Sequence, residues 1–225
     1  MAKEALISVA RLIEDMDIYP RVAVDDYHTN EIAEAIRAGR QMPPLKVGRL
    51  PGQKSYLIID GVHRRRAFRK IHGDNVKVPV IIGDYANKEM MILEAVEANA
   101  HHGRSLTMQD KVRCILMLEK SYAVAEISRV LGLTVEKVGV LRVERTARHN
   151  EEGVALKLTT SHMAGMDLTK DQMHYQKGAG GLHQSFYVNQ VIAMLESDAV
   201  EWKNQNLVAL LGRLKGVLKR ESRIQ

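Results

Sequence analysis

Apolar positions along the chain keep two rhythms in turn. Through the first ninety or so residues, short apolar runs bounded by turn residues alternate with stretches of helical spacing, which predicts mixed α and β structure. Ala5–Ala10 reads as a short strand. Asn30–Ala38 repeats Ile32, Ala33, Ala35 and Ile36 at helical spacing and stops at Gly39. Pro43-Pro44 forces an extended entry into Leu45–Leu50, Pro51-Gly52 turns the chain, and Tyr56–Ile59 is a second strand, so 45–59 predicts a hairpin. Gly61 ends that strand and Val62–Ile71 continues as a helix. Val76–Gly83 is a further strand, and Lys88–Ala100 returns to helix.

From Thr107 onward the rhythm is helical. Thr107 is a predicted N-cap with an acid, Asp110, in the first turn, and Ile115, Leu116 and Leu118 supply the apolar face that follows. Tyr122–Leu131, Gly132 and Thr134–Arg148 come next, and Asn150-Glu-Glu-Gly reads as a linker. Beyond it lie a glycine-rich turn at Gly178-Ala-Gly-Gly and two amphipathic stretches, Gln184–Leu195 and Asn206–Lys219. The pattern predicts an α+β N-terminal domain over 1–103, an all-α domain over 104–149 and a helical C-terminal segment over 150–225.

Composition changes this picture little: 45% hydrophobic and 27% charged residues describe a globular protein rather than a disordered one. No apolar run approaches the ~20 residues of a membrane span, and the opening residues lack a secretory apolar core. The lone Cys114 cannot form an internal disulfide, which points to a reducing, cytoplasmic compartment. Charge adds more. The formal net charge is +6, and Arg64, Arg65, Arg66, Arg69 and Lys70 crowd between Gly61 and His72 with no acid among them. A polyanionic partner fits that balance.

The chemistry concentrates where the strand ending in Asp60-Gly61 hands over to the helix of His63-Arg64-Arg65-Arg66-Ala67. Backbone N–H groups and the positive end of a helix dipole converge at such a turn, and glycine lets an anion approach the main chain. His63 and Arg64 add charge-assisted donors, so a phosphate is the natural occupant. The bland reading is a solvated basic helix face, which suits Arg65 and Arg66.

Here the sequence resembles the ParB/sulfiredoxin family. Gly61, Arg64 and Ala67 match its Gly-x-x-Arg-x-x-Ala motif, Tyr19-Pro20-Arg21 looks like its Pro-Arg segment, and Glu97 through Thr107 is similar to its second pocket motif. The resemblance covers roughly residues 5–147. It implies a nucleoside triphosphate site, for CTP or ATP with Mg2+, built from Arg21, Gly61, His63, Arg64, Asn99, His102 and Gly103. The chain departs from the pattern where His63 and His102 replace arginines and Ala98 replaces an acid before Asn99. Glu97 or Glu94 is then the carboxylate left for the metal side.

Other chemistries of the fold are weighed on single residues. A sulfiredoxin needs a cysteine where this chain has Val62, so that reaction is excluded. Asp60-Gly-Val-His-Arg also resembles the motif of ParB-like free serine kinases, with Asp60 as the available carboxylate, yet Arg21 and Val22 stand near the place of their glutamate base. A nuclease lacks a cluster of acids at metal-binding spacing, and the nine histidines show no zinc-ligand pattern.

Glu126–Val138 has the spacing of a helix-turn-helix, with Ser128 four residues before Gly132. Thr134 is placed to cap the second helix, whose exposed positions include Glu136, Lys137, Arg142 and Arg145, the candidate contacts to double-stranded DNA. The alternative is a generic helical hairpin. Together the features predict a cytoplasmic DNA-binding protein of partition or transcription-regulatory type, whose grip on DNA responds to a nucleotide. The leucines of Asn206–Lys219 suit either homodimerisation or packing within the chain.

Overall fold

The computed structural model describes residues 3–53, 55–101, 105–177, 191–197 and 200–220. The chain divides into two compact units, Met1–Gly181 and Leu182–Gln225.

In the first unit a five-stranded mixed sheet has the order β1-β5-β3-β4-β2. Its strands are β1 (Lys3–Ser8), β2 (Leu12–Ile13), β3 (Leu45–Arg49), β4 (Tyr56–Asp60) and β5 (Lys77–Asp84). The hairpin expected at 45–59 is the antiparallel β3–β4 pair, and β3 also pairs in parallel with β5. Leu57, Ile58 and Ile59 are consecutive and all buried because both faces of β4 are covered. Ile58 joins Leu45, Val47, Val78 and Val80 in one core. Leu57 and Ile59 meet Ile18, Met91 and Ala95 in another.

Helices α1 (Asp26–Arg37) and α2 (Val62–His72) pack together on the first side, with Phe68 against that core. Helix α3 (Lys88–His101) covers the second side through Met91 and Ala95. One residue on, Val96 enters the core of the helical region formed by α4 (Met108–Leu118), α5 (Val124–Leu131) and α6 (Val135–Glu144). Alpha-3 is therefore a shared wall between sheet and helices.

Alpha-4 opens with a complete capping box, the Thr107 side chain accepting from the Asp110 N–H while the Asp110 carboxylate accepts from the Thr107 N–H. Asp110 is buried and also accepts from the Val22 N–H at 2.9 Å, with Arg21 at 3.8 Å. Arg113 donates to the carbonyls of Tyr19 and Met16, so α4 holds the whole 16–22 segment.

The helical pattern over-runs at one place. Alpha-6 ends at Glu144 rather than reaching Arg148, because Arg145 at φ −128° leaves helical geometry and Thr146–His149 becomes strand β6. Strand β6 pairs antiparallel with β7 (Glu152–Ala155), so Asn150-Glu-Glu-Gly is a hairpin turn and not a linker. Asn150 and Glu151 have φ of 49° and 67°, the left-handed pair that tight hairpins require. The hairpin packs back on α4 through Ala155, and Ala147, Val154, Leu156 and Leu168 form a further small core.

The second unit contains the helix Gln205–Arg220, which matches the expected amphipathic stretch and exposes Leu210, Leu214, Val217 and Leu218. Most of the expected 184–195 stretch, and the glycine turn at 178–181, lie outside the described residues. Among the described residues no helix is long and apolar enough to cross a membrane.

Two outcomes follow. Asp110→Ala removes the acceptor shared by the α4 cap and the 16–22 segment and takes a buried carboxylate from beside Arg21; chemical denaturation should show a loss of about 3 kcal/mol. Glu151→Gly relieves a left-handed side-chain residue and should raise stability by about 1 kcal/mol in the same assay.

Candidate ligand cleft and helical surface

Strand β4 delivers its chain to α2 through Gly61 at φ 107°. A Cβ there would lie 2.9 Å from Leu45 Cγ and 3.1 Å from Arg64 Nη2, so sterics as well as backbone angle demand glycine. Beside this turn opens a cleft of about 560 Å3, lined by Tyr19, Arg21, His28, Pro43, Pro44, Asp60, Gly61, His63, Arg64 and Asn99 among others. Of the residues expected at a phosphate site, Arg21, Gly61, His63, Arg64 and Asn99 are thus brought together. His102 and Gly103 lie outside the described residues.

The electrostatics differ from expectation. Arg64 donates to Asp60 Oδ2 at 2.7 Å and to the carbonyls of Pro43 and Pro44 at 2.7 and 3.0 Å. It pins the loop before β3 to the turn after β4, and its guanidinium retains donors beyond those three bonds. His63 corrects the sequence reading. Burial, with help from nearby His28 and Arg21, pushes its pKa down to about 4, so the ring is neutral at ordinary pH and supplies no charge to a ligand. Its Nε2 accepts from the Asp25 N–H at 3.2 Å, which places the ring proton on Nδ1.

Arg65 and Arg66 do not form a solvated face. Both reach Glu14, at 3.0 Å and 2.7 Å, and clamp α2 to the turn that follows β2. Arg21 is buried beside Asp110 and donates to the Ser105 carbonyl at 3.3 Å. Asn99 donates to the Ala95 carbonyl on its own helix.

Glu97, the candidate metal ligand, instead pairs with Arg129 of α5 at 3.1 Å and does not line the cleft. Glu94 is taken by Lys46 and the Tyr85 hydroxyl. Among the described residues no group of three or more His, Cys, Asp or Glu is placed to hold a metal. The donors therefore fit a phosphate-bearing ligand, whereas the carboxylates expected for Mg2+ are engaged elsewhere. Cys114 is buried with its pKa pushed up to about 12 by burial, the state of a packing residue.

The second candidate surface is α6. Thr134 caps it, accepting from the Lys137 N–H at 3.1 Å, and Gly132 makes the preceding turn in left-handed conformation. Glu136 and Lys137 are exposed, and Arg142 is exposed while paired with Glu119 at 2.8 Å. Arg145 is a correction: it is only 8% exposed, and its Nη2 donates to the Leu156 carbonyl at 2.8 Å, because the chain turns into β6 at that residue. It holds the hairpin and is not part of the exposed face.

Sequence reasoning missed Tyr19 and His28 as cleft residues. Tyr19 sat within the Tyr19-Pro20-Arg21 segment without a role, whereas nothing local marks His28, whose ring comes within 5.1 Å of His63 only through the packing of α1 on α2.

The description that matches the sequence over residues 4–99 is the ParB N-terminal domain. Residues 4–99 form a ParB N-terminal domain. The mixed sheet of this part of the chain and the helical segments that follow it are the architecture expected from the sequence. Among solved structures, C-terminally truncated chromosome-partitioning protein ParB from Caulobacter crescentus complexed to the centromeric parS site is 17% identical, over 61% of this chain and 68% of that one, with a TM-score of 0.43. The same protein complexed with CTP-gamma-S is 20% identical over 61% and 74%, with a TM-score of 0.36. A pNOB8-like ParB N-domain is 17% identical over 69% and 57%, with a TM-score of 0.39. No curated protein matches the sequence. The assignment of the ParB N-terminal domain rests on the match over residues 4–99.

The neutral state of His63 gives a pH dependence. An unfolded histidine titrates near 6.5 and this one near 4, so between those values the unfolded chain binds the extra proton. The contribution of His63 to stability is complete above pH 6.5 and is lost as pH falls toward 4. Urea midpoints of the wild type should drop between pH 7 and 4.5, and His63→Gln should flatten part of that drop.

Proposed function

We propose that the chain is a DNA-binding protein of partition or transcription-regulatory type whose ParB N-terminal domain binds a nucleoside triphosphate, CTP or ATP, and thereby modulates its grip on DNA. The observation that carries this reading is that the walls of the cleft are also supports of the helical region. Asn99 lies on α3, whose Val96 packs with α4–α6, and Arg21 is tied to the first turn of α4 through Asp110. A ligand that draws on Arg21 or Asn99 therefore acts on the framework holding α6. Helix α5, the Gly132 turn and α6 are read as a helix-turn-helix, with Thr134, Glu136, Lys137 and Arg142 facing double-stranded DNA. The exposed leucines of Gln205–Arg220 favour a homodimer in this scheme.

Asp60, the carboxylate of the kinase alternative, lines the cleft with its Oδ2 paired to Arg64 at 2.7 Å. Gly139 offers separate support for an approach to α6. It lies exposed in mid-helix, where glycine costs about 1 kcal/mol relative to alanine, and an added Cβ would meet nothing within 4 Å. Folding gives no reason for it, whereas a partner surface pressed against α6 does.

Calorimetry with CTP, ATP, ADP and GTP should show micromolar-range binding of at least one triphosphate, weakened roughly tenfold in Asn99→Ala by loss of one hydrogen bond to a charged group. Lys137→Ala should weaken DNA binding and reduce the slope of log affinity against log salt by about one. No nucleotide binding, together with an unchanged salt slope, would defeat the proposal.

A further inference from the structure

Tyr19 is 5% exposed, and its hydroxyl is buried with no hydrogen-bond partner among the described residues. Buried phenols ordinarily find one, because a desolvated hydroxyl without a partner weakens the fold. The side chain is not free to correct this. The backbone N–H of Tyr19 donates to the Asp15 carbonyl at 3.0 Å, its backbone carbonyl accepts from Arg113 at 3.3 Å, and its ring sits edge-on to His63 at 6.3 Å. Acceptors in its surroundings are engaged: Glu14 by Arg65 and Arg66, Asp110 by the Val22 N–H and the α4 cap, and His63 Nε2 by the Asp25 N–H. Burial holds the phenol protonated, so the group is a donor at any working pH.

The residue lines the cleft beside Arg21, Gly61 and Arg64, and none of the described residues supplies the missing acceptor. Phosphate oxygens are acceptors without donors, the complement of an orphan O–H. We infer that the Tyr19 hydroxyl is a ligand-binding donor that hydrogen-bonds a phosphate oxygen of the nucleotide in this cleft. The inference rests on the reading of the cleft as a triphosphate pocket and adds to it the residue that discriminates a filled pocket from an empty one. In the empty protein the hydroxyl contributes nothing favourable, so its removal has opposite consequences for stability and for binding.

Tyr19→Phe is the test, read by calorimetry with CTP, inorganic tripolyphosphate and cytidine, and by the melting temperature of the ligand-free chain. The expected result is binding of CTP and tripolyphosphate weakened alike by roughly tenfold or more, as for a hydrogen bond to a charged acceptor, with the ligand-free melting temperature unchanged or raised. Equal affinity of Tyr19→Phe and wild type for CTP overturns the inference alone. A loss confined to CTP and cytidine, with tripolyphosphate unaffected, overturns the phosphate assignment and moves the hydroxyl to the base. A lowered ligand-free melting temperature also overturns it, since the hydroxyl would then be satisfied by an internal water as part of the fold. Wild-type protein that binds none of CTP, ATP, GTP and tripolyphosphate overturns the pocket reading and this inference together.

Discussion

One buried carboxylate joins the two halves of the first unit. Asp110 accepts the N–H of Val22, closes the cap of α4 with Thr107 and faces Arg21, so a single side chain fixes both the entry to the helical region and a wall of the cleft. A buried acid with three claims on it is stable only when all are met, because a half-satisfied charge in a low-dielectric interior is worse than none. Arg113 repeats the theme one turn later by holding the carbonyls of Met16 and Tyr19. The 16–22 segment has no regular helix or strand of its own. It is ordered because α4 supplies its hydrogen-bond partners, and residues that face the cleft inherit their positions from that order.

The charge run on α2 carries a related lesson about proximity. Arg64, Arg65 and Arg66 look like an unopposed basic block in one dimension, since no acid occurs between Gly61 and His72. In three dimensions Asp60 answers Arg64, and Glu14, distant in sequence, answers both Arg65 and Arg66. The arginines serve first to brace β4, α2 and the turn after β2. What lines the cleft is more specific than bulk charge: Arg21, Arg64 with N–H groups beyond its three bonds, the glycine-opened start of α2 and the side chain of Asn99.

Much of the fold was legible because its signals were local. Glycines at 61 and 132, the proline pair at 43–44, the capping pair Thr107 and Asp110 and the unbroken apolar run of β4 each act within a few residues, and each element formed where they put it. The ends of α6 and its supposed linker were not legible, since Asn150 and Glu151 signal a tight turn only once strands exist on both sides to be joined. Arg145 was misread for the same reason: on a longer helix it would face solvent, but as the last residue before β6 it is drawn inward to Leu156. At the cleft the backbone-determined residue, Gly61, was clear, whereas the ionisation of His63 depends on burial and on His28 and Arg21. No single stretch of sequence contains that information.

On the proposed DNA reading, α6 sets a constraint on how affinity is built. Its exposed face carries Glu136 and Glu144 against Lys137 and Arg142, and Arg142 is already shared with Glu119. Long-range attraction to phosphate from such a face is small, so a single copy releases few counterions and relies largely on close contacts in the groove. Gly139 fits that regime, because a helix without a side chain at mid-face can approach more closely than one with it. Weak contacts of this kind become useful when two are linked, since the second binds at the effective concentration set by the first. The exposed leucine face of Gln205–Arg220 would then matter for DNA without touching it, and the neutral recognition face becomes a means of making binding depend on assembly.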